Sequence, residues 1–254
     1  MSLQHRPIQL YNTMSDTVKQ FLATIKQDVA TSTFECNYSD SLEVSQISFG
    51  QQKTLVTSTL EGITSINKFM LEVDKLIQEN VTGSTSNITI LDRIPIVIQM
   101  KLIEKGADFK VDEEVTLGAL RDNFSKAVIE PQTLEYDAYE IKLRIPTLDT
   151  DVRYHKSSIR EFDKVGEDDI GKCTGIILAY ELPKFVESIT FNGEDIIIDE
   201  IPIDTTMKII ETLPSSVTDD IHEFVSTIRD YDEKLLTVKG KLVDFETLFF
   251  ERED

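Results

Sequence analysis

A chain of 254 residues, 40% of them hydrophobic, is long enough to bury a substantial core, either as one large domain or as two small ones. Its 46 acidic and 26 basic residues give a net charge of −20, which would repel a phosphate backbone, so we expect no direct nucleic-acid partner. No apolar run approaches the roughly 20 residues that cross a bilayer, so we also expect no membrane span. Two cysteines, Cys36 and Cys173, are too few for a zinc site made of thiolates alone.

The first part of the chain predicts a helix followed by a small β-hairpin. Apolar residues recur at helical spacing between Val18 and Ile25, which indicates a helix that begins at Ser15 and ends near Asp28. Apolar and polar residues then alternate on both sides of a turn-like segment, Ser39-Asp40-Ser41.

The stretch 47–106 carries the clearest helical pattern. A short helix is expected after Phe49-Gly50, and a polar loop around Gly83 ends the helix that follows it. In that second helix, six apolar residues at helical spacing form a clear stripe, and we expect its phenylalanine and methionine in the core. They are Ile66, Phe69, Met70, Val73, Leu76 and Ile77.

Residues 90–105 allow two interpretations. Their apolar residues alternate as in a strand, yet further apolar residues interrupt the polar face, and the length of the run favours a buried helix. Asp92 is the preferred N-cap, because it places Pro95 in the first turn, where a proline loses no intrahelical hydrogen bond. Gly106 would close the helix at its other end.

The middle of the chain predicts a helix, a strand and a connector. Thr116 is a candidate cap for a helix that ends near Ala127, and alternating residues at 139–145 predict a strand that Pro146 stops. Charges are mixed and the periodicity is poor at 147–164. We interpret this segment as a connector with some helix.

The C-terminal part predicts helices around a hairpin. Asn192-Gly193 is the strongest short hairpin signal in the chain, and helical spacing indicates helices before it, at 170–182, and after it. The segments on either side of Gly240 fit either a last hairpin or a broken helix.

Together these elements predict an α+β fold that is helix-rich with small antiparallel hairpins. We expect an N-terminal helical region with a small hairpin at 1–146, the connector at 147–164 and a C-terminal helix–hairpin–helix block at 165–254. Three consecutive large apolar residues near the chain end either belong to the core or form a docking site for a partner. They are Leu248, Phe249 and Phe250.

The sequence contains no catalytic constellation. His5, His155 and His222 are isolated, whereas a helical zinc hydrolase needs two histidines one turn apart. Asp149 and Asp151 resemble the start of a calcium loop, but the glycine and the closing glutamate are missing, which indicates a solvated turn. We predict no catalytic, cofactor-binding or metal-binding residue and no small-molecule substrate, and we expect that the protein is not an enzyme.

Two motifs in the stretch 47–106 resemble landmarks of the baseplate hub family of T4-like bacteriophages. The first is Ile47-Ser48-Phe49-Gly50-Gln51-Gln52-Lys53, in which an aromatic residue and a Gln-rich step to lysine lead into a helical part. The second is Leu91-Asp92-Arg93-Ile94-Pro95, in which an aspartate starts an apolar helix. Both follow the predicted hairpin in the order of the family. Some members carry paired cysteines suggestive of zinc, which this chain lacks, so the resemblance implies no metal.

The resemblance implies a structural or assembly protein of a phage tail baseplate hub, which acts by protein–protein binding. Its partners would be other baseplate proteins. It would reside in the host cytoplasm during assembly, and in the virion tail baseplate if it is structural. One alternative is an assembly chaperone that is absent from the mature virion. A second alternative is a carboxylate-based hydrolase, which needs two carboxyl groups facing each other across a cleft.

Overall fold

A computed structural model describes residues 29–37, 41–58, 65–83, 85–127, 129–165 and 179–249, together with residues 18, 20, 24, 175 and 176. The chain forms an α+β fold in which helices pack against small antiparallel sheets, as predicted. The predicted helices at 15–28 and 170–182 lie mostly outside the described residues. Among the residues that are described, no helix is long and apolar enough to cross a membrane.

The predicted N-terminal hairpin is confirmed, and it belongs to a three-stranded antiparallel sheet. Its register pairs Phe34 with Leu42, and a third short strand pairs with the other side of the second strand. Two helices connect the second strand to the third. These elements are β1 (Thr31–Phe34), β2 (Leu42–Ser45), α1 (Phe49–Ser58), α2 (Ser65–Asn80) and β3 (Val81–Thr82).

The predicted apolar stripe of α2 faces the core over most of its length. Four members are buried, namely Phe69, Val73, Leu76 and Ile77. Met70 is partly buried against them. Ile66, at the start of the stripe, is 57% exposed. The stripe continues into the first turn of α2, beyond the part of the helix that the core covers.

Residues 93–105 form helix α3 (Arg93–Lys105), which confirms the helical interpretation of this stretch. Asp92 occupies the N-cap position, and Gly106 ends the helix with a φ of 83°. The Asp92 carboxylate does not cap the helix backbone, however. It accepts hydrogen bonds from the backbone N–H of Asn37 at 2.6 Å and from the Thr89 hydroxyl at 2.8 Å. The carboxylate therefore fastens the β1–β2 connection to the start of α3.

Thr116 caps a helix, as predicted, but this helix is shorter than expected. The Thr116 hydroxyl accepts a hydrogen bond from the backbone N–H of Ala119 at 3.2 Å. After Arg121 the chain turns, and the Phe124 ring packs on Phe34 at a centroid distance of 5.3 Å. The elements are β4 (Lys110–Asp112), β5 (Val115–Thr116) and α4 (Leu117–Arg121).

A four-stranded antiparallel sheet joins the two predicted units of the chain. Its strand order is β6 (Thr133–Glu135), β7 (Tyr139–Leu143), β8 (Val186–Phe191) and β9 (Glu194–Ile197). Asn192 and Gly193 have φ values of 52° and 79°, which confirms the two-residue turn between β8 and β9. Because β7 pairs with β8, the sheet crosses the expected boundary at 147–164.

The predicted connector is a helix, α5 (Leu148–Val165), that packs along α2. Its buried positions have regular helical spacing, but several of them are polar, including Asp151, His155 and Ser158. The segment nevertheless has a strong amphipathic pattern at helical spacing, so the interpretation of 147–164 as a connector with poor periodicity is wrong. One hydrophobic cluster contains residues from both sides of it, such as Leu143 and Val186.

The C-terminal part of the described chain is helical and ends in a small hairpin. Lys239 and Gly240 have φ values of 52° and 81°, so the ambiguous segment around Gly240 is a hairpin and not a broken helix. The elements are α6 (Ile203–Thr212), α7 (Ser215–Leu236), β10 (Thr237–Val238) and β11 (Lys241–Leu242).

The predicted docking residues Leu248 and Phe249 belong to the core. Both side chains are almost completely buried, and the Phe249 ring meets the Phe69 and Phe245 rings edge-on, each at a centroid distance of 5.6 Å. A 3₁₀ turn (Phe245–Leu248) folds the chain end back onto α2 and α3. These two residues are thus unavailable to a partner. Phe250 lies outside the described residues.

We predict that Phe249→Ala lowers the free energy of unfolding by about 3–5 kcal/mol, because it leaves a cavity beside the Phe69 and Phe245 rings. Urea denaturation of the purified protein measures the change. Phe191, at the β8–β9 turn, is 49% exposed and supplies the control, since Phe191→Ala removes the same atoms from a partly solvated position. Equal losses in the two variants would contradict the assignment of Phe249 to the core.

Candidate partner-binding surface

The first family-like motif, residues 47–53, forms a tightly held start of α1. Ile47 is buried. Ser48 and Gln51 form a reciprocal capping box, in which the Ser48 backbone N–H donates to Gln51 Oε1 at 2.9 Å and Ser48 Oγ accepts from the Gln51 backbone N–H at 3.3 Å. Two of the otherwise unpaired N–H groups at this helix end are thereby satisfied.

Two glutamine side chains attach this first turn to the rest of the molecule. Gln51 Nε2 donates to Glu79 Oε2 of α2 at 3.0 Å. Gln52 Nε2 donates to the backbone carbonyl of Phe249 at 3.0 Å. The amino end of α1 is therefore fixed to α2 and to the buried C-terminal turn, which restricts its orientation.

Phe49 is the large apolar residue of the motif whose side chain the fold leaves exposed to solvent. Its side chain is 84% exposed, more than any other large hydrophobic residue that the structure describes. Lys53 lies one helical turn later on the same face and forms no ion pair with a described residue. Val56 extends this face by a further turn and is 37% exposed. We call Phe49, Lys53 and Val56 the α1 face.

The α1 face differs in charge from the rest of the protein. The sequence has no aspartate or glutamate at 44–60, and Lys53 is the only charged residue there, although the chain as a whole carries a net charge of −20. Beside it, a groove of about 440 Å³ between α1 and α2 is lined by residues that include Lys53, Lys68 and Glu72. Glu72 is paired with Lys75 at 3.3 Å.

Away from the α1 face, a cluster of polar residues is buried between four elements. Arg93 of α3 donates two hydrogen bonds to Asp74 of α2, at 2.6 and 3.0 Å, and a third to Asp151 of α5. Lys184, in a 3₁₀ turn (Leu182–Phe185), donates to the other Asp151 oxygen at 2.5 Å. His155 Nδ1 lies 3.4 Å from Asp151 without hydrogen-bond geometry. We call these five residues the buried charge cluster.

Burial and the neighbouring charges shift the pKa values of the two carboxyl groups in opposite directions. Burial raises the pKa of Asp74, and the nearby Asp151 carboxylate adds to this effect although Arg93 opposes it. Burial would also raise the pKa of Asp151, but Lys184, Arg93 and His155 together hold it well below its ordinary value. Burial lowers the pKa of His155, which favours the neutral imidazole despite the adjacent Asp151.

The buried charge cluster contains a potential set of metal ligands. The ligand atoms of Asp74, Asp151 and His155 all lie within 4.8 Å of one another. However, Arg93 and Lys184 already bind all four oxygens of the two carboxyl groups. A divalent cation would have to displace one of these buried cations, which is electrostatically unfavourable. We therefore assign the cluster a structural role.

The same geometry corrects the sequence-based interpretation of these residues. Asp151 does not lie in a solvated turn, because it is completely buried in the first turn of α5. His155 is buried beside Asp151, whereas His222 is exposed and contacts the Thr218 carbonyl at 2.8 Å. Their positions in the sequence could have revealed the cluster, because Asp74, Asp151 and His155 occupy helix positions that face the core. His5 lies outside the described residues.

We predict that Arg93→Met lowers the free energy of unfolding by about 3–5 kcal/mol, because it leaves two buried carboxylates without their shared guanidinium. Arg121→Met is the matched control, since Arg121 is exposed and pairs with Asp122 at the surface. Chemical denaturation of both variants tests the assignment. A loss from Arg93→Met no larger than that from Arg121→Met would show that the cluster does not stabilise the fold.

Asp232 of α7 is a partly buried acid, and one of its carboxylate oxygens lacks a hydrogen-bond partner. Its Oδ1 atom is inaccessible to solvent and has no hydrogen-bond partner. Burial raises the pKa of the Asp232 carboxyl to about 7, although Arg93 lowers it. In the unfolded chain the group loses its proton near pH 3.8, whereas in the folded protein it keeps the proton up to about pH 7. Its contribution to stability is therefore complete below pH 3.8 and is lost as the pH rises through about 7.

We predict that Asp232→Asn is more stable than the unsubstituted protein by about 1–3 kcal/mol above pH 7, because the amide cannot ionise. The difference between the two stability curves should shrink as the pH falls from 7 to 4, as followed by urea denaturation at a series of pH values. Asp219→Asn, at an exposed position of the same helix, supplies the control. A difference that does not change with pH would contradict the prediction.

The resemblance to the baseplate hub family rests on two motifs, which the structure places at the starts of α1 and α3. The first motif carries the exposed Phe49. In the second motif, Asp92 and Arg93 form internal contacts. No protein-family profile, curated protein or solved structure matches this chain significantly.

Proposed function

We propose that this chain is a structural or assembly protein of a phage tail baseplate hub and that it acts by binding other baseplate proteins. The observation that carries the proposal is the exposure of Phe49 on a helix start that is otherwise held in place. Its place of action would be the host cytoplasm during assembly, and the tail baseplate of the virion if it is structural.

The energetics of Phe49 support a role in binding. Leaving a phenylalanine side chain in water forgoes about 2 kcal/mol that burial would contribute to folding. A polar residue at this position would cap and anchor α1 equally well, since the capping box and the Gln52 bond do not involve the Phe49 side chain. A partner that covers the ring would recover the hydrophobic contribution.

The fixed start of α1 also supports binding. A contact residue on a rigid element loses less conformational freedom when the complex forms, which favours affinity. Ile47, Ser48, Gln51 and Gln52 restrict this turn, so Phe49 is presented in a defined position. The motif thus combines internal anchors with one outward aromatic residue.

The alternative is an assembly chaperone that leaves before the virion is complete. The absence of the paired cysteines found in some family members supports this alternative, because the chain then need not play the same part as those members. The two roles use the same kind of contact and differ in whether the chain stays in the particle. We do not propose a carboxylate-based hydrolase, since Asp74 and Asp151 face each other in the interior and not across a cleft.

We predict that Phe49→Ala reduces co-purification of baseplate proteins from infected cells by at least about tenfold, because the main apolar contact is lost. Phe191→Ala, at the other exposed phenylalanine that the structure describes, should leave co-purification unchanged. Quantitative mass spectrometry of the purified complexes measures both effects.

Mass spectrometry of purified virions separates the two roles. A structural protein is present in the particle at a fixed ratio to other baseplate proteins, whereas a chaperone is absent from it. If the unsubstituted protein binds no baseplate protein and is also missing from virions, the proposed function is wrong.

A further inference from the structure

The α1 face combines an exposed aromatic ring with a positive charge on a strongly negative protein. Phe49, Lys53 and Val56 are separated by four and three residues, so they lie along one side of the helix. An aromatic and an aliphatic side chain at this spacing are typical anchors of a helix that lies in a groove of another protein.

The charge of the partner follows from the same surface. Lys53 has no ion pair among the described residues. The acid that lines the adjoining groove, Glu72, is already paired with Lys75. The segment 44–60 contains no carboxylate that would repel a negatively charged partner.

We infer that the α1 face binds an apolar pocket bordered by carboxylates on a different protein. The Phe49 ring enters the pocket, and the Lys53 ammonium group faces an aspartate or glutamate at its edge. This inference rests on the proposed function and specifies the chemistry of the partner.

The overall charge of −20 favours a protein pocket over an anionic membrane, a nucleic acid or a second copy of the chain. At physiological ionic strength, charges separated by more than about 8 Å are largely screened, so a local pocket experiences mainly the α1 face. An anionic membrane or a nucleic acid extends far beyond this face and would meet the acidic remainder of the surface. A second copy of the chain would bring another 20 negative charges.

Site-specific photocrosslinking tests where the partner binds. Phe49→p-benzoylphenylalanine in the full-length protein is irradiated in infected cells, and the crosslinked peptide is identified by mass spectrometry. We expect crosslinks to apolar residues of one protein that has aspartate or glutamate beside them. Phe191→p-benzoylphenylalanine is the control and should not form this crosslink. Crosslinks from Phe49 to this chain itself, or to no protein, would overturn the inference.

Affinity measurements with the purified crosslinked partner test the charge. We expect Phe49→Ala to weaken binding by about 30-fold. Lys53→Glu should weaken it by about three- to tenfold at low salt, with a smaller effect at high salt. Lys208→Glu, at an exposed position of α6, changes the net charge equally and should have little effect. Equal effects of the two lysine substitutions would overturn the inference.

Three further outcomes bear on this inference, and the last two of them separate it from the proposed function. Binding to vesicles of phosphatidylcholine with 30% phosphatidylserine that is lost in Phe49→Ala would overturn the protein pocket in favour of a membrane. A crosslinked partner with an acidic apolar pocket that is not a baseplate protein would support the inference and refute the proposed function. A baseplate partner that crosslinks only elsewhere on the chain would do the reverse.

Discussion

The arrangement of the helices depends on Arg93, which binds two buried carboxylates from different helices. Asp74 and Asp151 come from α2 and α5, and Lys184 joins the cluster from the turn that precedes β8. None of these charged groups is stable in the interior without the others, because an unpaired buried ion loses its hydration without compensation. The cluster therefore requires α2, α3 and α5 to meet in one particular register.

Asp92, the residue beside Arg93, has a comparable role in the N-terminal sheet. Its carboxylate binds the backbone and side-chain amide of Asn37 and the hydroxyl of Thr89. Two neighbouring residues at the start of α3 thus hold the hairpin on one side and the α2–α5 pair on the other. This accounts for the acidic and basic residues of the second family-like motif by folding alone, with no need for a binding role.

In the first family-like motif, some residues form internal contacts and others are exposed. Its serine and glutamines satisfy the backbone of α1 and attach it to Glu79 and to the Phe249 carbonyl, while Phe49 and Lys53 take no part in these contacts. The C-terminal aromatic residues show the opposite distribution. Phe249 fills the core next to Phe69, and its backbone oxygen accepts the Gln52 bond. The burial of Phe249 thus helps to hold the start of α1, on which Phe49 is exposed.

The sequence by itself determined the elements whose signals are local. Turn residues with positive φ, such as Asn192-Gly193, and the apolar stripe of α2 act over a few neighbouring residues, so the hairpins, most helix positions and the α+β class were predictable. Only the tertiary structure decided which carboxylates are buried and which phenylalanine is exposed. Asp151 pairs with Arg93 and Lys184, which are distant in sequence, and Phe49 and Phe249 have the same side chain but opposite surroundings. Burial is a property of the assembled elements, and no single segment of the chain encodes it.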